Sequence, residues 1–228
     1  MKQNLQTPYT KTKQKIHGPY TQIYLVRHCK PDYSQKEIVG DAKMPLSRVG
    51  KKQRALLTNK KLSKLRPNVV FASQFTRAQE TAEVYLKKTK KTLVVDKRFN
   101  EIDWEEWYKI KYFNMSEKTR IKRVKEYQEM DARLHRLHTK FRRIIADIYR
   151  THKGKTVLIF CHGNVIRSIL TGILNTDVIG FLSLEVYQSS VSKIAIDKNG
   201  YIKINYINNI GHLPKKPKED LFQAAINQ

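Results

Sequence analysis

The stretch Tyr24-Leu25-Val26-Arg27-His28-Cys29-Lys30-Pro31 decides the fold. Residues 23–26 are apolar or aromatic and read as a short buried strand. Pro31 rules out a continued central strand, so Arg27 and His28 fall where a strand meets a loop. In open α/β sheets that junction is where ligands bind. A guanidinium suits a phosphate because its planar fork donates two parallel hydrogen bonds. An imidazole beside it can attack phosphorus, hold a metal or move a proton. Taken alone, an Arg-His pair is more often a surface feature, so the rest of the chain has to decide.

A second strand–histidine junction answers the first. Thr156-Val157-Leu158-Ile159-Phe160-Cys161 is apolar almost throughout, as a strand covered on both faces should be, and it runs into His162-Gly163-Asn164. Residues 165–174 are helical in pattern. A histidine beside the free N–H groups of a helix start is suited to grip an anion, against the plainer reading of a residue that only ends a strand. Between the two junctions lie further elements. Ser47 is a helix N-cap for an expected helix over 48–65, closed by Pro67. Residues 68–72 and 92–95 are short strands. Ser73 and Arg77 stand at the turn from the first of these into a helix reaching about Lys87.

After that comes the acidic cluster Glu101, Asp103, Glu105 and Glu106 with Trp104 and Trp107. A carboxyl held against aromatic surface has a raised pKa and can act as a general acid. The alternative is a set of solvated acids answering nearby lysines. Residues 117–149 read as a long amphipathic helix, broken near Asp131, with an arginine- and lysine-rich outer face. His135 and His138 lie one turn apart on it and read as surface histidines, since further metal ligands are not evident. A hairpin over 191–196 and 201–207 turns at Asp197-Lys198-Asn199-Gly200, and Ile210-Gly211-His212-Leu213-Pro214 closes the fold.

The totals bound the class. A chain of 228 residues with 40% hydrophobic residues suits one folded domain with arms. We expect a flexible basic arm over 1–22, a catalytic domain over 23–213 and a tail over 214–228. No apolar run approaches the roughly 18 residues of a membrane span. Two cysteines provide no disulfide framework, which points to a reducing, cytoplasmic setting; targeting to an organelle by the basic arm stays open. The 45 Lys+Arg against 20 Asp+Glu leave a net charge of +25. That implies attraction to anions, whether phosphorylated substrates, nucleic acid or an anionic surface, although a lysine bias on solvated faces explains much of it.

The blocks together resemble the histidine phosphatase superfamily, in its phosphoglycerate mutase-like branch. They are Leu25-Val26-Arg27-His28-Cys29, Pro45-Leu46-Ser47 with Gly50, Ser73 with Arg77-Ala78 and Thr81-Ala82, Glu101 with Trp107, and Cys161-His162-Gly163. The resemblance covers about residues 23–213 and implies a three-layer α/β/α sandwich with a mixed, mostly parallel central sheet. It also implies a phosphomonoester hydrolase with no cofactor and no metal, acting on a phosphorylated small molecule or phosphoprotein. His28 would carry the phosphoryl group. Arg27, Arg77 and His162 would hold its oxygens, and Glu101 would serve as general acid and base, with Asp103, Glu105 and Glu106 as rivals. Gly163, Asn164 and Cys29 would lie against substrate, Asn164 through its N–H.

Cys29 stands where the family has glycine. If that position needs a positive φ, a cysteine there weakens activity, which motivates a rival reading: a phosphatase-like module that binds phosphoprotein or polyanion. A mutase is a second alternative. It is disfavoured because no long basic insert follows Glu101, though 108–125 could stand in for one. Cys29 and Cys161 each neighbour a site histidine, so a reversible oxidation that joins them is a further expectation.

Overall fold

The computed structural model describes residues 18–104 and 116–214. Glu105, Glu106, Trp107, the segment 105–115 and both chain ends lie outside the described residues, as do several side chains of 120–126. Strands β1 (Thr21–Arg27), β2 (Val69–Ala72), β3 (Leu93–Val95), β4 (Thr156–Cys161), β5 (Val191–Ile196) and β6 (Ile202–Asn209) form one sheet in the order β3-β2-β4-β1-β5-β6. β1, β2, β3 and β4 pair in parallel, and β5 pairs antiparallel with β1 and with β6. The sheet is therefore mixed and mostly parallel.

Alternation along the strands sends successive side chains to opposite faces. Val157, Ile159 and Cys161 join a core with Phe141, Ile144, Ile148, Val165 and Ile166. Leu158 and Phe160 join a second core with Leu57, Leu62, Ala82 and Tyr85. The first core is roofed by α4 (Glu117–Thr151) and α5 (Gly163–Leu174), the second by residues 57–62, which continue α2 (Arg48–Leu56), and by α3 (Thr76–Thr89). Two short helices, α1 (Lys36–Val39) and α6 (Val178–Ser183), complete the described set. Three layers follow, with every parallel strand pointing its C-terminal end the same way.

The Pro-Leu-Ser…Gly block has a structural task beside the loop that follows His28. Ser47 Oγ accepts from Gly50 N–H at 3.1 Å, capping α2, and also donates to the Lys30 carbonyl at 3.1 Å. A Cβ on Gly50 would lie 2.0 Å from that carbonyl oxygen, so only glycine lets α2 approach the loop that follows His28. Gln53 Oε1 accepts from Lys30 N–H at 2.8 Å, and Pro31 bridges to Leu46.

The structure changes two readings of α4. It is continuous through Asp131, whose carboxylate accepts from Val178 N–H at 2.6 Å and so supports the start of α6. His138 is buried, not a surface residue; its Nε2 meets Thr171 Oγ1 at 2.9 Å, while His135 is exposed. The basic face is also less free than its sequence implies. The Arg133 guanidinium stacks 4.6 Å from the Trp104 ring centroid, and Arg142 donates to the Gly172 carbonyl. The helix over 48–65 becomes α2 followed by a wider π turn, Leu57–Lys61.

Among the described residues no helix is long and apolar enough to cross a membrane.

Candidate active site

Each site residue lies at the C-terminal end of a parallel strand, at the helix start that follows one or, for Glu101, just beyond the turn that follows β3. Arg27 ends β1, and His28 is next. His28 N–H donates to the Cys161 carbonyl at 2.9 Å, and its own carbonyl accepts from Ser189 N–H at 3.1 Å. The His28 backbone is thus held between β4 and the loop before β5. Ser73 follows β2, and its N–H donates to the Phe160 carbonyl at 3.0 Å. Arg77 is in the first turn of α3. Thr81, one turn further, donates to the Arg77 carbonyl and accepts from Cys29 N–H at 2.9 Å, which ties α3 to the His28 loop. Glu101 follows the turn Lys97–Phe99 after β3. That segment is fixed by a reciprocal amide pair: Gln74 N–H donates to Asn100 Oδ1, and Asn100 Nδ2 donates to Gln74 Oε1, both at 2.9 Å. His162 caps α5 beyond β4.

These elements converge. One ligating atom each from His28, Glu101 and His162 all lie within 4.8 Å of one another. The two imidazole centroids are 5.1 Å apart. Arg27 and Arg77 line the same cavity of about 570 Å³, together with His28, Glu101, Tyr33, Lys36, Asp41, Phe75, Trp104 and Asn164. Two histidines and a carboxylate could hold a metal ion, but the two guanidinium groups beside them repel a dication and attract an oxyanion.

The tautomer of His28 follows from its partner. Nδ1 lies 2.8 Å from the Cys29 carbonyl, which can only accept, so Nδ1 carries the proton and Nε2 keeps its lone pair. Arg77 Nε donates to that lone pair at 3.3 Å. Burial, then the charges of Arg77, His162 and Arg27, hold the His28 pKa well below the ordinary histidine value. The ring is therefore neutral at neutral pH. His162 is lowered in the same way, by burial and then by Arg77 and Arg27. Its Nε2 lies 2.7 Å from Ser73 Oγ, and its buried Nδ1 has no hydrogen-bond partner among the described residues. Glu101 is pushed above the ordinary carboxylate value by burial, opposed by Ile102 N–H and by Arg27, Arg77 and Arg167. A raised carboxyl facing a lowered imidazole is the kind of pairing that lets one group donate a proton while the other keeps a free lone pair.

The structure places the other expected residues as follows. Gly163 makes room for a side chain: a Cβ there would meet Arg27 Cζ and Nε at 3.3 Å. Arg27 itself donates to the Val186 carbonyl. Asn164 lines the cavity, but its amide is engaged, donating to the Ile102 carbonyl at 3.1 Å and accepting from Arg167 at 3.2 Å. It steadies the segment carrying Glu101, and its backbone N–H, in the first turn of α5, is aimed as an anion donor beside the second Nδ2 hydrogen. Asp103 is exposed on the cavity rim, so of the acidic rivals that are described, the half-buried Glu101 is the more enclosed.

Cys29 does not line the cavity. It is fully buried in the core beneath α2 and α3, and it is absent from the residues with positive φ. The glycine-like strain expected there does not arise, and with it goes the motive for an impaired module. Cys161 belongs to the core on the other face of the sheet, so the two sulfurs are not neighbours across the site, and the oxidation expectation is withdrawn. Burial drives the Cys29 thiol up to about 12, far from a reactive thiolate. Cys29→Gly is accordingly expected to cost about 1–2 kcal/mol of stability through lost burial and added chain entropy, with no gain in kcat. Chemical denaturation and turnover of the same preparation check both halves.

Several supporting residues were not identified from the sequence. Arg167 is buried and donates to the Leu184 carbonyl as well as to Asn164. Asp41 grips Arg77. Ser189, in a left-handed conformation at φ 67°, places its hydroxyl 2.8 Å from His212 Nε2. These contacts join residues remote in sequence, and only the closing His212 carried a signal.

Buried neutral histidines set an acid limit. Burial pushes His138 and His212 down to about 4, and His28 and His162 are lowered too. The unfolded chain takes up these protons near pH 6.5, whereas the folded chain resists until well below it. Stability is therefore full above about pH 6.5 and is lost as pH falls toward the folded values. The melting temperature should drop steadily from pH 6.5 to 4 at constant ionic strength. His138→Gln should flatten that slope, and an unchanged slope would remove His138 from the account.

The fold and this convergent cluster define an enzyme that transfers phosphoryl groups through histidine. The chain belongs to the histidine phosphatase superfamily, branch 1, whose family model matches residues 23–209. It is 22% identical over 219 residues to a probable phosphoglycerate mutase, GpmB, of Enterobacter sp. (strain 638), covering 88% of this chain and 98% of that one. It is 29% identical over 177 residues to the mitochondrial serine/threonine-protein phosphatase Pgam5 of Drosophila ananassae, covering 76% of this chain and 59% of that one. Among solved structures, a mutant phosphoserine phosphatase from Entamoeba histolytica in complex with phosphoserine superposes with a TM-score of 0.64 at 14% identity. That match covers 85% of this chain and 99% of the other.

Proposed function

We propose that the protein hydrolyses phosphomonoesters through a phosphohistidine on His28. The observation that carries this reading is the state of that ring: neutral, protonated on Nδ1 by its bond to the Cys29 carbonyl, with the Nε2 lone pair facing Arg77. A phosphoryl group entering the cavity displaces the weak Arg77 contact and meets Nε2 directly. Arg27, Arg77, His162 and the first N–H groups of α5 surround the oxygens where negative charge spreads in a loose, in-line transition state. Glu101, its pKa raised by burial, gives a proton to the leaving oxygen when it is in the acid form. The resulting carboxylate then takes a proton from the water that attacks the phosphohistidine, and the cycle closes with inorganic phosphate.

The substrate class is a phosphorylated small molecule or a phosphorylated side chain. The relatives are named for a mutase and a protein phosphatase, and the structural neighbour holds phosphoserine; a phosphomonoester is common to these. Hydrolysis is favoured over mutase action on the sequence argument about an insert after Glu101; much of 108–125 lies outside the described residues. Phosphate release from p-nitrophenyl phosphate, with chelator present, tests the reading. A mutase would instead show a long-lived phosphoenzyme and slow release.

A further inference from the structure

Arg77 is held by a competitor for the anion it would bind. Its Nη1 donates to the Asp41 carbonyl at 2.6 Å, and its Nη2 to the Asp41 carboxylate at 3.1 Å. The Arg77 side chain is 5% exposed and that of Asp41 47%. Arg27, the other guanidinium of the cavity, donates to the neutral Val186 carbonyl. The two arginines are therefore unequal: one keeps its whole charge, and the other shares it with a carboxylate. Asp41 itself lines the cavity, in the turn Asp41–Lys43 that follows Gly40 at φ 77°.

We propose that Asp41 is a positioning residue that aims Arg77 and tempers its hold on phosphate. Its two oxygens fix the direction of the fork and leave the other Nη hydrogens for substrate. Its charge cancels part of the attraction of Arg77 and repels a bound dianion from the rim. The anion most strongly held in such a cavity is the product, inorganic phosphate, and a site that grips it fully turns over slowly. A carboxylate on one arginine lowers the affinity for the ground-state anions while the arginine keeps the geometry needed at the transition state. This rests on the phosphatase reading above.

The test measures inorganic phosphate binding by calorimetry, its inhibition constant, and KM for p-nitrophenyl phosphate. Asp41→Asn keeps a carbonyl-type oxygen and removes the charge. Both the phosphate dissociation constant and KM should fall together by about fivefold, the scale of a half-exposed charge acting at short range. Asp41→Glu keeps the charge and should stay near wild type. A merely structural role predicts the opposite, because a misaligned Arg77 weakens phosphate and raises KM in both variants. Unchanged or weakened phosphate binding in Asp41→Asn overturns the proposal, and so does a tightening equal in Asn and Glu. Asp41→Ser provides a second uncharged variant should Asn fold poorly. Wild-type protein that binds phosphate but releases none from ester would instead defeat the phosphatase reading, leaving the Asp41 question to calorimetry.

Discussion

His28→Ala is expected to lower phosphate release from p-nitrophenyl phosphate by about 10⁴-fold or more, because it removes the atom that forms the covalent intermediate. The fold should survive. The side chain is 3% exposed, but its hydrogen bond to Cys29 is local, and its backbone contacts to Cys161 and Ser189 do not depend on the ring. The variant should still bind inorganic phosphate, since Arg27, Arg77 and His162 remain. In the wild type, a chelator should leave the rate unchanged, because the guanidinium groups provide the positive charge. Brief mixing with labelled ester and an alkaline quench should leave label on the protein, and an acid quench should strip it, as phosphohistidine requires. Turnover retained in His28→Ala would move the nucleophile elsewhere, with His162 the next imidazole in reach.

The second large effect falls on Glu101. Glu101→Gln keeps the size and the acceptor for Ile102 N–H, 3.0 Å away in the wild type, and loses the proton. We expect kcat to fall by about 10²–10⁴ for alkyl phosphates, the usual range for a positioned general acid. The loss should be much smaller for p-nitrophenyl phosphate, whose leaving group departs unassisted. The pH profile separates the two groups. His28 must be unprotonated, and its folded value lies below the ordinary 6.5, so the acid limb falls only well under neutrality. Glu101 must be protonated to start the cycle, and its value lies above the ordinary 4.5, so activity declines as pH rises through it. The expected profile for alkyl esters falls on the acid side through His28 and on the alkaline side through Glu101, and Glu101→Gln should flatten the alkaline limb. Equal losses for alkyl and aryl esters would argue that Glu101 does not protonate the leaving group. Asp103 on the rim would then be the acid to replace next.

Much of this site was legible because its parts are local. An apolar run that stops at Arg27-His28, and another that stops at His162-Gly163, mark strand ends without reference to anything distant. The Ser47 cap and the hairpin turn at 197–200 are equally local. What stayed hidden depends on partners far along the chain. Asp41 and Arg77 meet through a loop folding over a helix start. Gln74 and Asn100 clamp two strand exits together. Asp131 looked like a helix breaker because its partner, Val178 N–H, is 47 residues away. His138 looked like a surface residue because the helix that buries it, α5, is read from a different part of the sequence. Cys29 was misjudged for a related reason: its side chain turns into the core beneath α2 and α3, and no pattern in one sequence reveals which way a residue past a strand end will face.

The position of β1 within the sheet has a consequence for biogenesis. This strand is made early, yet it pairs with β4 and β5, which begin at Thr156 and Val191. A nascent chain leaving the ribosome therefore presents the sticky Ile23–Val26 run with neither neighbour yet synthesised. The interval exceeds a hundred residues, which takes on the order of ten seconds at usual elongation rates. Because Ser189 and Ser190 also complete the backbone hydrogen bonding of His28 and Arg27, a chain halted before them leaves that junction unfinished, and it has an open strand edge through which to aggregate.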